Sequence, residues 1–499
     1  MNYQCTRNKQ EVKTAAEAIV KGLADNGGLY VPETKPQLTL EEIKTLVPMT
    51  YNERAKFILS QFLTDFSKEE LDACVDGAYN TENFDTDQIA PIHTLSDKEH
   101  VLELWHGPTC AFKDMALQIL PYFLTTAMKK TGVDKTVVIL VATSGDTGKA
   151  ALEGFCDVPG TKIIVYYPEE GVSRIQKLQM VTQSGDNVGV SAVKGNFDDA
   201  QTGVKTIFTD ETYKKQLREA GYVFSSANSI NWGRLVPQIV YYFSAYADLV
   251  KKEAIGIGER INIVVPTGNF GNILAAYYAK CMGLPVHKFI CASNCNNVLT
   301  DFIRTGVYDR KRPFHATVSP SMDILISSNL ERFLYDLTGG DDQKVAGWMA
   351  ELQANGRYEI DESLKDRMQA IFWGGFCADE DTLQTIALTK KEYDYVMDTH
   401  TAVAQNVYEQ YVKETGDQTV TVVASTASPF KFNRSVLSAL CGEQELCSDD
   451  EFLLLEQLQK VSGMNIPKSL AELKTKEQRF LSSIDKNDMK SYINKVLGL

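Results

Sequence analysis

Two hydrophobic patterns follow each other along the chain. Up to about residue 95, apolar positions recur at the spacing of amphipathic helices, interrupted by a Gly- and Asn-containing turn at residues 24–32. The predicted helices there are residues 11–23, 39–46 and 51–63. From residue 100 onwards, short β-branched runs alternate with longer helical stretches. The predicted strands are residues 136–141, 162–167, 261–265, 288–292 and 419–424, with helices that begin near Thr147 and Asn272.

This alternation predicts the fold class. Strands that are joined through helices pair in parallel, so we expect an α/β fold preceded by a mainly helical accessory domain. A chain of 499 residues is too long for one ordinary core, and two or three domains are therefore expected. Residues 320–415 and the tail from Asp449 are predicted to be mostly helical.

Composition narrows the classes of function. Hydrophobic residues make up 44% and charged residues 23% of the chain, as in compact globular proteins. The net charge of -14 argues against a broad nucleic-acid surface, because such a surface needs clustered Lys and Arg. The chain has no run of about 18 apolar residues and no signal-peptide pattern, so we expect a cytoplasmic protein without a membrane span. The ten cysteines are irregularly spaced, which predicts neither a disulfide framework nor a metal site.

Two loops between a predicted strand and a predicted helix have the composition of anion sites. Residues 266–272 read Pro-Thr-Gly-Asn-Phe-Gly-Asn, and residues 142–148 read Ala-Thr-Ser-Gly-Asp-Thr-Gly. Glycines let the backbone approach an anion closely, and the free amides at a helix N-terminus attract it. The alternative for residues 266–272 is an ordinary strand-to-helix turn without a ligand. The alternative for residues 142–148 is that Ser144 and Asp146 only cap the helix. The loop over residues 266–272 lacks the Gly-Lys-Ser/Thr signature of a nucleoside triphosphate site.

A third segment contains a candidate nucleophile. Lys113 follows the apolar, turn-rich residues 106–112, so its amine is expected to be partly desolvated. Burial lowers the pKa of an amine towards the range in which it acts as a nucleophile and a base. Because most lysines are solvated surface residues, the position alone leaves both interpretations open.

Together these segments resemble the threonine synthase family. The resemblance rests on six segments that occur in the family's order: residues 25–32, His106-Gly107-Pro108-Thr109 with Phe112-Lys113-Asp114, residues 144–148, residues 268–272, Ser319-Pro320-Ser321-Met322-Asp323-Ile324, and Ser425-Thr426-Ala427. It implies an α/β enzyme of fold type II, similar to the tryptophan synthase β chain, with parallel sheets and flanking helices. The implied domains are a mainly helical N-terminal domain (residues 1–95), a larger cofactor-binding α/β domain with helical insertions (96–124 and 226–499) and a smaller α/β domain (125–225).

The resemblance also implies the cofactor and its binding residues. The implied cofactor is pyridoxal 5'-phosphate, carried by the catalytic residue Lys113, with Thr426 hydrogen-bonded to the pyridine nitrogen. The cofactor phosphate is expected against Gly268, Asn269, Phe270, Gly271 and Asn272. The substrate is expected against Ser144, Thr147, Asn228, Asn231 and Arg234, the last three of which share a face if their segment is helical. Two positions depart from the family's usual pattern: Ser428 stands where many members have His, and Thr399 stands where we expect Pro.

The implied reaction converts O-phospho-L-homoserine and water into L-threonine and phosphate, the last step of threonine biosynthesis. The expected partner is this small molecule, and the chain is expected to act as a monomer or homodimer without nucleic acid, membrane or metal. One alternative is another lyase of the same fold, such as a threonine or serine dehydratase or a phosphohomoserine lyase that yields 2-oxobutanoate. Another is a phosphate- or nucleotide-binding module without covalent chemistry. Arg234 bears on the first alternative, because a dehydratase needs no second phosphate site.

Overall fold

A computed structural model gives the fold and describes residues 1–143, 145–169 and 172–499. The strands are β1 (Tyr3–Cys5), β2 (Asn8–Lys13), β3 (Tyr30–Pro32), β4 (Ile92–Thr94), β5 (Glu99–Glu103), β6 (Thr136–Ala142), β7 (Thr161–Pro168), β8 (Val188–Val193), β9 (Tyr222–Ser225), β10 (Ile261–Pro266), β11 (Val286–Ser293), β12 (Val307–Asp309), β13 (Arg357–Glu359), β14 (Phe372–Phe376), β15 (Thr421–Ser425) and β16 (Ser483–Ile484). The helices up to residue 251 are α1 (Ala15–Lys21), α2 (Leu40–Thr45), α3 (Tyr51–Ser60), α4 (Lys68–Ala78), α5 (Asp114–Leu117), α6 (Leu120–Thr131), α7 (Asp146–Gly154), α8 (Arg174–Val181), α9 (Phe197–Thr209), α10 (Glu211–Glu219), α11 (Trp232–Leu235) and α12 (Pro237–Lys251). The later helices are α13 (Gly271–Cys281), α14 (Val298–Thr305), α15 (Leu330–Leu337), α16 (Asp342–Asn355), α17 (Glu362–Ile371), α18 (Asp379–Tyr393), α19 (Thr399–Thr415), α20 (Asn433–Cys441), α21 (Glu451–Ser462), α22 (Lys468–Ala471) and α23 (Met489–Leu497).

The N-terminal part contains a small sheet that the hydrophobic pattern did not predict. Strands β2, β1 and β3 form an antiparallel sheet in that order, and the predicted helix over residues 11–23 is wrong at its start. The reason is local: Thr14 caps α1 by accepting from the Glu17 amide, and the Glu17 carboxylate accepts from the Thr14 amide. This capping box starts the helix at residue 15 and leaves the residues before it free to pair with β1.

A six-stranded sheet forms the larger α/β layer. Its order is β14-β11-β10-β15-β5-β4, and every pairing is parallel except that of β4 with β5 at the edge. The long helix α12 packs beside it and is buried along nearly its whole length. The predicted α/β class with mainly parallel strands is confirmed, and each of the five predicted strands is present within two residues of its predicted bounds.

A second sheet forms the smaller layer. Its order is β16-β8-β7-β6-β9, and all four pairings are parallel. Strand β16 comes from near the end of the chain, and α23 packs on the same side through the buried residues Met489 and Ile493. This terminal segment therefore packs with the smaller sheet, whereas the prediction assigned residues 226–499 to the larger domain. The rest of the division into domains stays a prediction.

The topology brings chemically useful segments to common edges. Neighbouring strands β10, β15 and β5 run in parallel, so the segments after them, which contain residues 266–272, Thr426 and Lys113, leave the same edge of the large sheet. Neighbouring strands β6 and β9 likewise lead to residues 143–148 and to Arg234. Ligands of parallel α/β sheets bind at such carboxyl ends. Within the described ranges, no helix is long and apolar enough to cross a membrane.

Candidate active site

Lys113 lies at the centre of the candidate site. It immediately precedes α5 and is 9% exposed. Its Nζ lies 3.5 Å from Asp146 Oδ2 and 3.5 Å from Ser321 Oγ. Burial lowers the pKa of Lys113; the Asp146 carboxylate opposes this effect, whereas the positive charges of Lys431 and Arg234 add to it. The amine is therefore adapted to lose its proton more readily than a surface lysine.

Asp146 connects the smaller sheet to the larger one next to Lys113. It is the first residue of α7, which follows a strand of the smaller sheet, yet Lys431, which follows β15 of the large sheet, places its Nζ 2.6 Å from Oδ1. Ser321 Oγ, in a short 3-10 turn, donates to Oδ2 at 3.1 Å. Gln176 Nε2 of α8 also donates to Oδ1, at 3.0 Å. Burial disfavours ionisation of Asp146, but Lys431 and Lys113 outweigh it, and the pKa falls well below its usual range. Asp146 is thus a buried, permanent negative charge.

Lys431 is a functional residue that the sequence analysis missed. It is completely buried, and its Nζ also donates to the Thr109 carbonyl oxygen at 2.9 Å. A signal was present in the sequence, because Lys431 stands between Phe430 and Phe432 just as Lys113 follows Phe112. A charged residue inside an apolar run either faces solvent or pairs with an opposite charge.

The loop before Lys113 is fixed by Asp114. Thr109 donates to Asp114 twice, from its amide at 2.8 Å and from its hydroxyl at 2.7 Å. A side chain at Gly107 would collide with Asp114, since an added Cβ would lie 2.5 Å from the Asp114 Cβ. Cys110 adopts a left-handed φ of 59° at the turn of this loop. The Phe-Lys-Asp sequence therefore contains both the amine and the group that anchors its loop.

His106 holds the start of the same loop. Its Nδ1 lies 2.6 Å from Asp85 and its Nε2 lies 2.8 Å from Glu103. Burial opposes protonation of the ring, but the two carboxylates outweigh it and raise the pKa of His106 to about 9. The imidazolium thus ties the loop to the end of β5.

The loop over residues 266–272 has the form of an anion cradle. The amide N–H groups of Gly268, Asn269, Phe270, Gly271 and Asn272 have no hydrogen-bond acceptor within the described ranges, and the first helical bond of α13 runs from the Leu274 amide to Phe270. Phe270 adopts a left-handed φ of 63°, which costs about 1 kcal/mol for a side chain other than glycine. Its ring packs on Phe333 and Phe372 at centroid distances of 6.0 and 5.6 Å. This packing holds the unpaired amides in one direction.

The side chain of Asn272 completes the cradle. It is 7% exposed, and its Oδ1 accepts hydrogen bonds from Tyr241 at 2.6 Å and from Tyr242 at 2.5 Å. Its Nδ2 is buried without a partner in the described part of the chain. A buried amide donor without an acceptor lowers the stability of the fold by about 1–3 kcal/mol. A bound anion would remove this cost by accepting from Asn272 Nδ2, which adds a side-chain donor to the free backbone amides.

A second candidate anion site is marked by Arg234. The guanidinium is 4% exposed, and its Nη1 donates to the Ala227 carbonyl oxygen at 2.7 Å. Among the residues that the structure describes, no carboxylate lies within ion-pair distance of it. Burial lowers the pKa of Arg234 to about 10, although the charge of Asp114 acts in the opposite direction. A buried cation without a counter-charge is the electrostatic form of an anion site.

The other predicted substrate residues have different surroundings. The condition for a shared face is not met, because Asn228 lies in a turn and α11 begins only at Trp232. Asn228 is half-buried, and its amide N–H donates to Ser226 Oγ at 3.1 Å. Asn231 donates both side-chain hydrogens to the Ile19 and Ser226 carbonyl oxygens and accepts from the Gly233 amide, which is a structural arrangement.

The loop over residues 142–148 is described in part. Ser144 lies outside the described residues, so its predicted role has no geometry to support it. Thr147 is half-buried in the first turn of α7. Thr143 Oγ1 accepts from the amides of Gly145 and Gly148, both at 3.0 Å, and so fixes the shape of the loop.

Thr426 and His400 lie close to Lys113. Thr426 follows β15, and its carbonyl oxygen accepts from the Phe112 amide at 2.8 Å. His400 Nδ1 lies 2.7 Å from Asp398, and its Nε2 accepts from the Ser321 amide at 3.1 Å. His400 therefore connects Asp398 to the Ser321 turn beside the lysine.

The two departures from the family pattern have simple structural settings. Ser428 is buried, and its Oγ accepts from the Phe430 amide at 3.4 Å at the start of a short 3-10 turn. Thr399 is the first residue of α19, where proline is also favoured, and its hydroxyl is buried without a partner in the described ranges. Neither side chain hydrogen-bonds to Lys113, whose polar partners are Asp146 and Ser321.

Comparison with known proteins agrees with this geometry. Three family profiles match the chain: Threonine synthase N terminus over residues 2–79, Pyridoxal-phosphate dependent enzyme over residues 90–363, and Threonine synthase, C-terminal, over residues 401–493. The human protein Threonine synthase-like 1 is 40% identical over 98% of this chain, and the chain spans 66% of the length of that relative. The threonine synthase of Pseudomonas aeruginosa is 38% identical, with 89% of this chain and 91% of that protein covered.

A solved structure extends the comparison to the fold. The pyridoxal-phosphate-bound threonine synthase from Brucella melitensis superposes with a TM-score of 0.87 at 34% identity and covers 100% of this chain and 99% of its own. The predicted resemblance, the type II fold and the cofactor pyridoxal 5'-phosphate are thereby confirmed. The chain belongs to the threonine synthase family of pyridoxal-phosphate-dependent enzymes.

Proposed function

We propose that the chain is a threonine synthase that converts O-phospho-L-homoserine and water into L-threonine and phosphate. One observation carries the proposal: a buried lysine, a cradle of free amides and a buried arginine that has no counter-charge among the described residues occur together. Ser321 lies beside both Lys113 and the cradle, and the charge of Arg234 acts on Lys113. The substrate is an amino acid with a phosphate ester, so the reaction needs one anion site for the cofactor and another for the substrate. The two sites and the amine supply these three requirements.

The residues present fit pyridoxal phosphate. Its phosphate fits the free amides of residues 268–272, which attract an anion at the positive end of α13. Lys113 fits the covalent attachment, because burial lowers its pKa and a neutral amine is the nucleophile. Thr426, at the end of β15, is assigned to the pyridine nitrogen on the family resemblance. A neutral hydroxyl there leaves the nitrogen without a formal counter-ion.

The cofactor, when bound, supplies an electron sink that makes protons on the substrate's carbon atoms acidic. In our proposal Lys113 Nζ removes the proton at Cα and then the proton at Cβ. After the ester bond at Cγ breaks and water adds at Cβ, protons return to Cγ and Cα. Asp146 keeps the free amine of Lys113 in place, since its carboxylate stays ionised 3.5 Å from Nζ. Ser321 Oγ, positioned by the His400 contact to its amide, borders the same amine.

Arg234 is assigned to the substrate phosphate. The ester bond at Cγ breaks and phosphate leaves with the bonding electrons, so negative charge increases on the phosphate oxygens. A guanidinium fixed there stabilises that change. Thr147 and Asn228 are assigned to the same group, as is Ser144 from the sequence alone. Asn231 is left out of the assignment, because both of its side-chain hydrogens are already bonded.

The attachment of the cofactor to Lys113 is tested by trapping. Borohydride reduction of the holoenzyme, followed by peptide mapping, is expected to place the pyridoxyl group on Lys113. The cofactor bound covalently to a lysine is expected to give a visible absorption band. Lys113→Ala is expected to lose this band, whereas Lys149→Met, which changes another buried lysine, is expected to keep it. A pyridoxyl group on another lysine would contradict the assignment.

The reaction itself is tested by its products. With O-phospho-L-homoserine, threonine and phosphate are expected together. Phosphate with 2-oxobutanoate and without threonine would make the chain a phosphohomoserine lyase of the same fold. The absence of a cofactor band in reconstituted protein would contradict the enzyme assignment altogether.

Location and assembly are narrower parts of the proposal. We place the enzyme in the cytoplasm as a monomer or homodimer. Cell fractionation tests the first statement and sedimentation velocity tests the second.

A further inference from the structure

The amide of Asn272 has a defined orientation that the reaction scheme does not explain. Two tyrosines on α12, Tyr241 and Tyr242, direct their hydroxyls to the same atom, Asn272 Oδ1. The opposite end, Nδ2, is buried and has no partner among the described residues. A side chain that makes two short hydrogen bonds at one end and none at the other is held for a ligand.

The chemistry of the surroundings specifies the ligand. Nδ2 can only donate, and it lies on the second residue of α13, beside five backbone amides that also only donate. Such a set of donors at a helix N-terminus suits the oxygens of a phosphate. If the amide were reversed, Oδ1 would face the same anion, which is repulsive. The observed orientation is therefore the one that a phosphate requires.

The tyrosines are suited to hold this orientation. Both are completely buried, and burial raises the pKa of each hydroxyl well above its usual value, so the hydroxyls keep their protons and remain donors. Tyr241 also contacts Gln238 Oε1 at 3.2 Å, and Gln238 Nε2 donates to the Arg234 carbonyl oxygen at 2.9 Å. The pair is thus anchored to the short segment that contains the second anion site.

We propose that Tyr241 and Tyr242 are positioning residues of the cofactor-phosphate site, which fix the Asn272 side chain so that Nδ2 donates to the phosphate. The inference rests on the proposed placement of the cofactor phosphate at residues 268–272. It adds a side-chain donor to the backbone amides and a function for two tyrosines that touch neither substrate nor reacting atoms. The orientation is set before the cofactor binds, so little side-chain ordering is needed at binding.

The test compares hydroxyl deletions by their effect on cofactor affinity. Apo-protein carrying Tyr241→Phe, Tyr242→Phe or both changes is titrated with pyridoxal 5'-phosphate and followed by absorbance. Because one hydroxyl still holds the amide, each single change is expected to weaken binding by about twofold to threefold, and the double change by about tenfold or more. The phosphorus NMR signal of the bound cofactor is expected to shift in the double variant.

Three controls make the result specific. Tyr246→Phe removes a buried hydroxyl from the same helix, but that hydroxyl donates to the Glu259 carbonyl oxygen, so cofactor affinity is expected to stay unchanged. Pyridoxal, which lacks the phosphate, is expected to bind the double variant as well as the wild type. Asn272→Ala in the double variant is expected to cost little more, since the donor is already misdirected.

The Asn272→Asp change separates positioning from a purely structural role. Aspartate still accepts from both tyrosines but has no donor, so it is expected to bind pyridoxal phosphate more weakly than Asn272→Ala does. Equal affinity of the wild type and the Tyr241→Phe/Tyr242→Phe variant would overturn the inference while leaving the proposed function intact. If the double variant lost as much affinity for pyridoxal as for pyridoxal 5'-phosphate, the inference would also be overturned and the proposed function would stay intact. A wild type that binds no cofactor at all would overturn both.

Discussion

The first prediction concerns Arg234, because one substitution should raise the stability of the fold and strongly reduce its activity. Methionine at this position preserves much of the side chain's length and removes its charge. The guanidinium lies buried without a carboxylate partner in the described ranges, so in the absence of an anion its charge is a cost to the fold. In the proposed site this cost is offset when substrate binds, because the substrate phosphate supplies the missing negative charge.

The size of the effect follows from the surroundings. Burial lowers the pKa of Arg234 to about 10, which corresponds to about 3 kcal/mol against the charged form at about 1.4 kcal/mol for each pKa unit. Loss of the hydrogen bond to the Ala227 carbonyl oxygen removes about 1 kcal/mol of stabilisation. Arg234→Met is therefore expected to raise the free energy of unfolding by about 2 kcal/mol in phosphate-free buffer. It is expected to lower kcat/KM for O-phospho-L-homoserine by about 100-fold or more.

The assay is urea unfolding of wild type and variant, with and without inorganic phosphate. Phosphate at about 100 times its dissociation constant is expected to stabilise the wild type by about 2.7 kcal/mol and the variant by much less. Arg54→Met is the matched control: Arg54 is equally buried but pairs with Asp248 at 2.7 Å, so that change is expected to destabilise by about 3–5 kcal/mol. An Arg234→Met variant that is less stable than wild type and responds equally to phosphate would show that Arg234 is not held in an anion site.

Three further predictions follow from the same contacts. Asp146→Asn leaves Lys431 buried without its counter-charge and is expected to destabilise the protein by about 3 kcal/mol, measured by urea unfolding; adding Lys431→Met should recover part of that loss, and a neutral single change would contradict the pairing. The pKa of His106 is raised to about 9, so its stabilising contribution is complete below its unfolded pKa of about 6.5 and is lost as the pH rises through 9. The unfolding free energy is expected to fall by up to about 3 kcal/mol over that window, and His106→Gln should remove this dependence; an unchanged pH profile would count against it. Gly154→Ala places a Cβ 2.1 Å from the Leu117 carbonyl oxygen, so α7 and α5 must separate; we expect a loss of at least about 2 kcal/mol in thermal or urea unfolding, and a stability equal to wild type would show that the contact is looser than described.

The regular part of the fold was readable from the sequence for identifiable reasons. Strands such as β6 and β10 are continuous β-branched runs, because both faces of a parallel sheet are covered. Strand β5, with the sequence Glu-His-Val-Leu-Glu, was not predicted, since polar residues stand at both of its ends and its pairing depends on β15. The last three residues of β2, 11–13, lie within the predicted helix, because a short exposed strand has no alternating apolar face.

The site was predictable in its loops but not in its network. Residues 268–272 and Lys113 are contiguous motifs, so order along the chain was enough to mark them. The Asp146 to Lys431 pair joins positions 285 residues apart, and the Tyr241 to Asn272 contact depends on the packing of α12 against α13. Such contacts are created by tertiary structure and leave no local pattern.

We propose that Lys113, with one anion site for the cofactor and one for the substrate, catalyses the formation of threonine. The most direct measurement is the molar ratio of threonine formed to phosphate released when the holoenzyme consumes O-phospho-L-homoserine. We expect a ratio of about one, and loss of both products in Lys113→Ala. A ratio near zero, with 2-oxobutanoate in place of threonine, would contradict it.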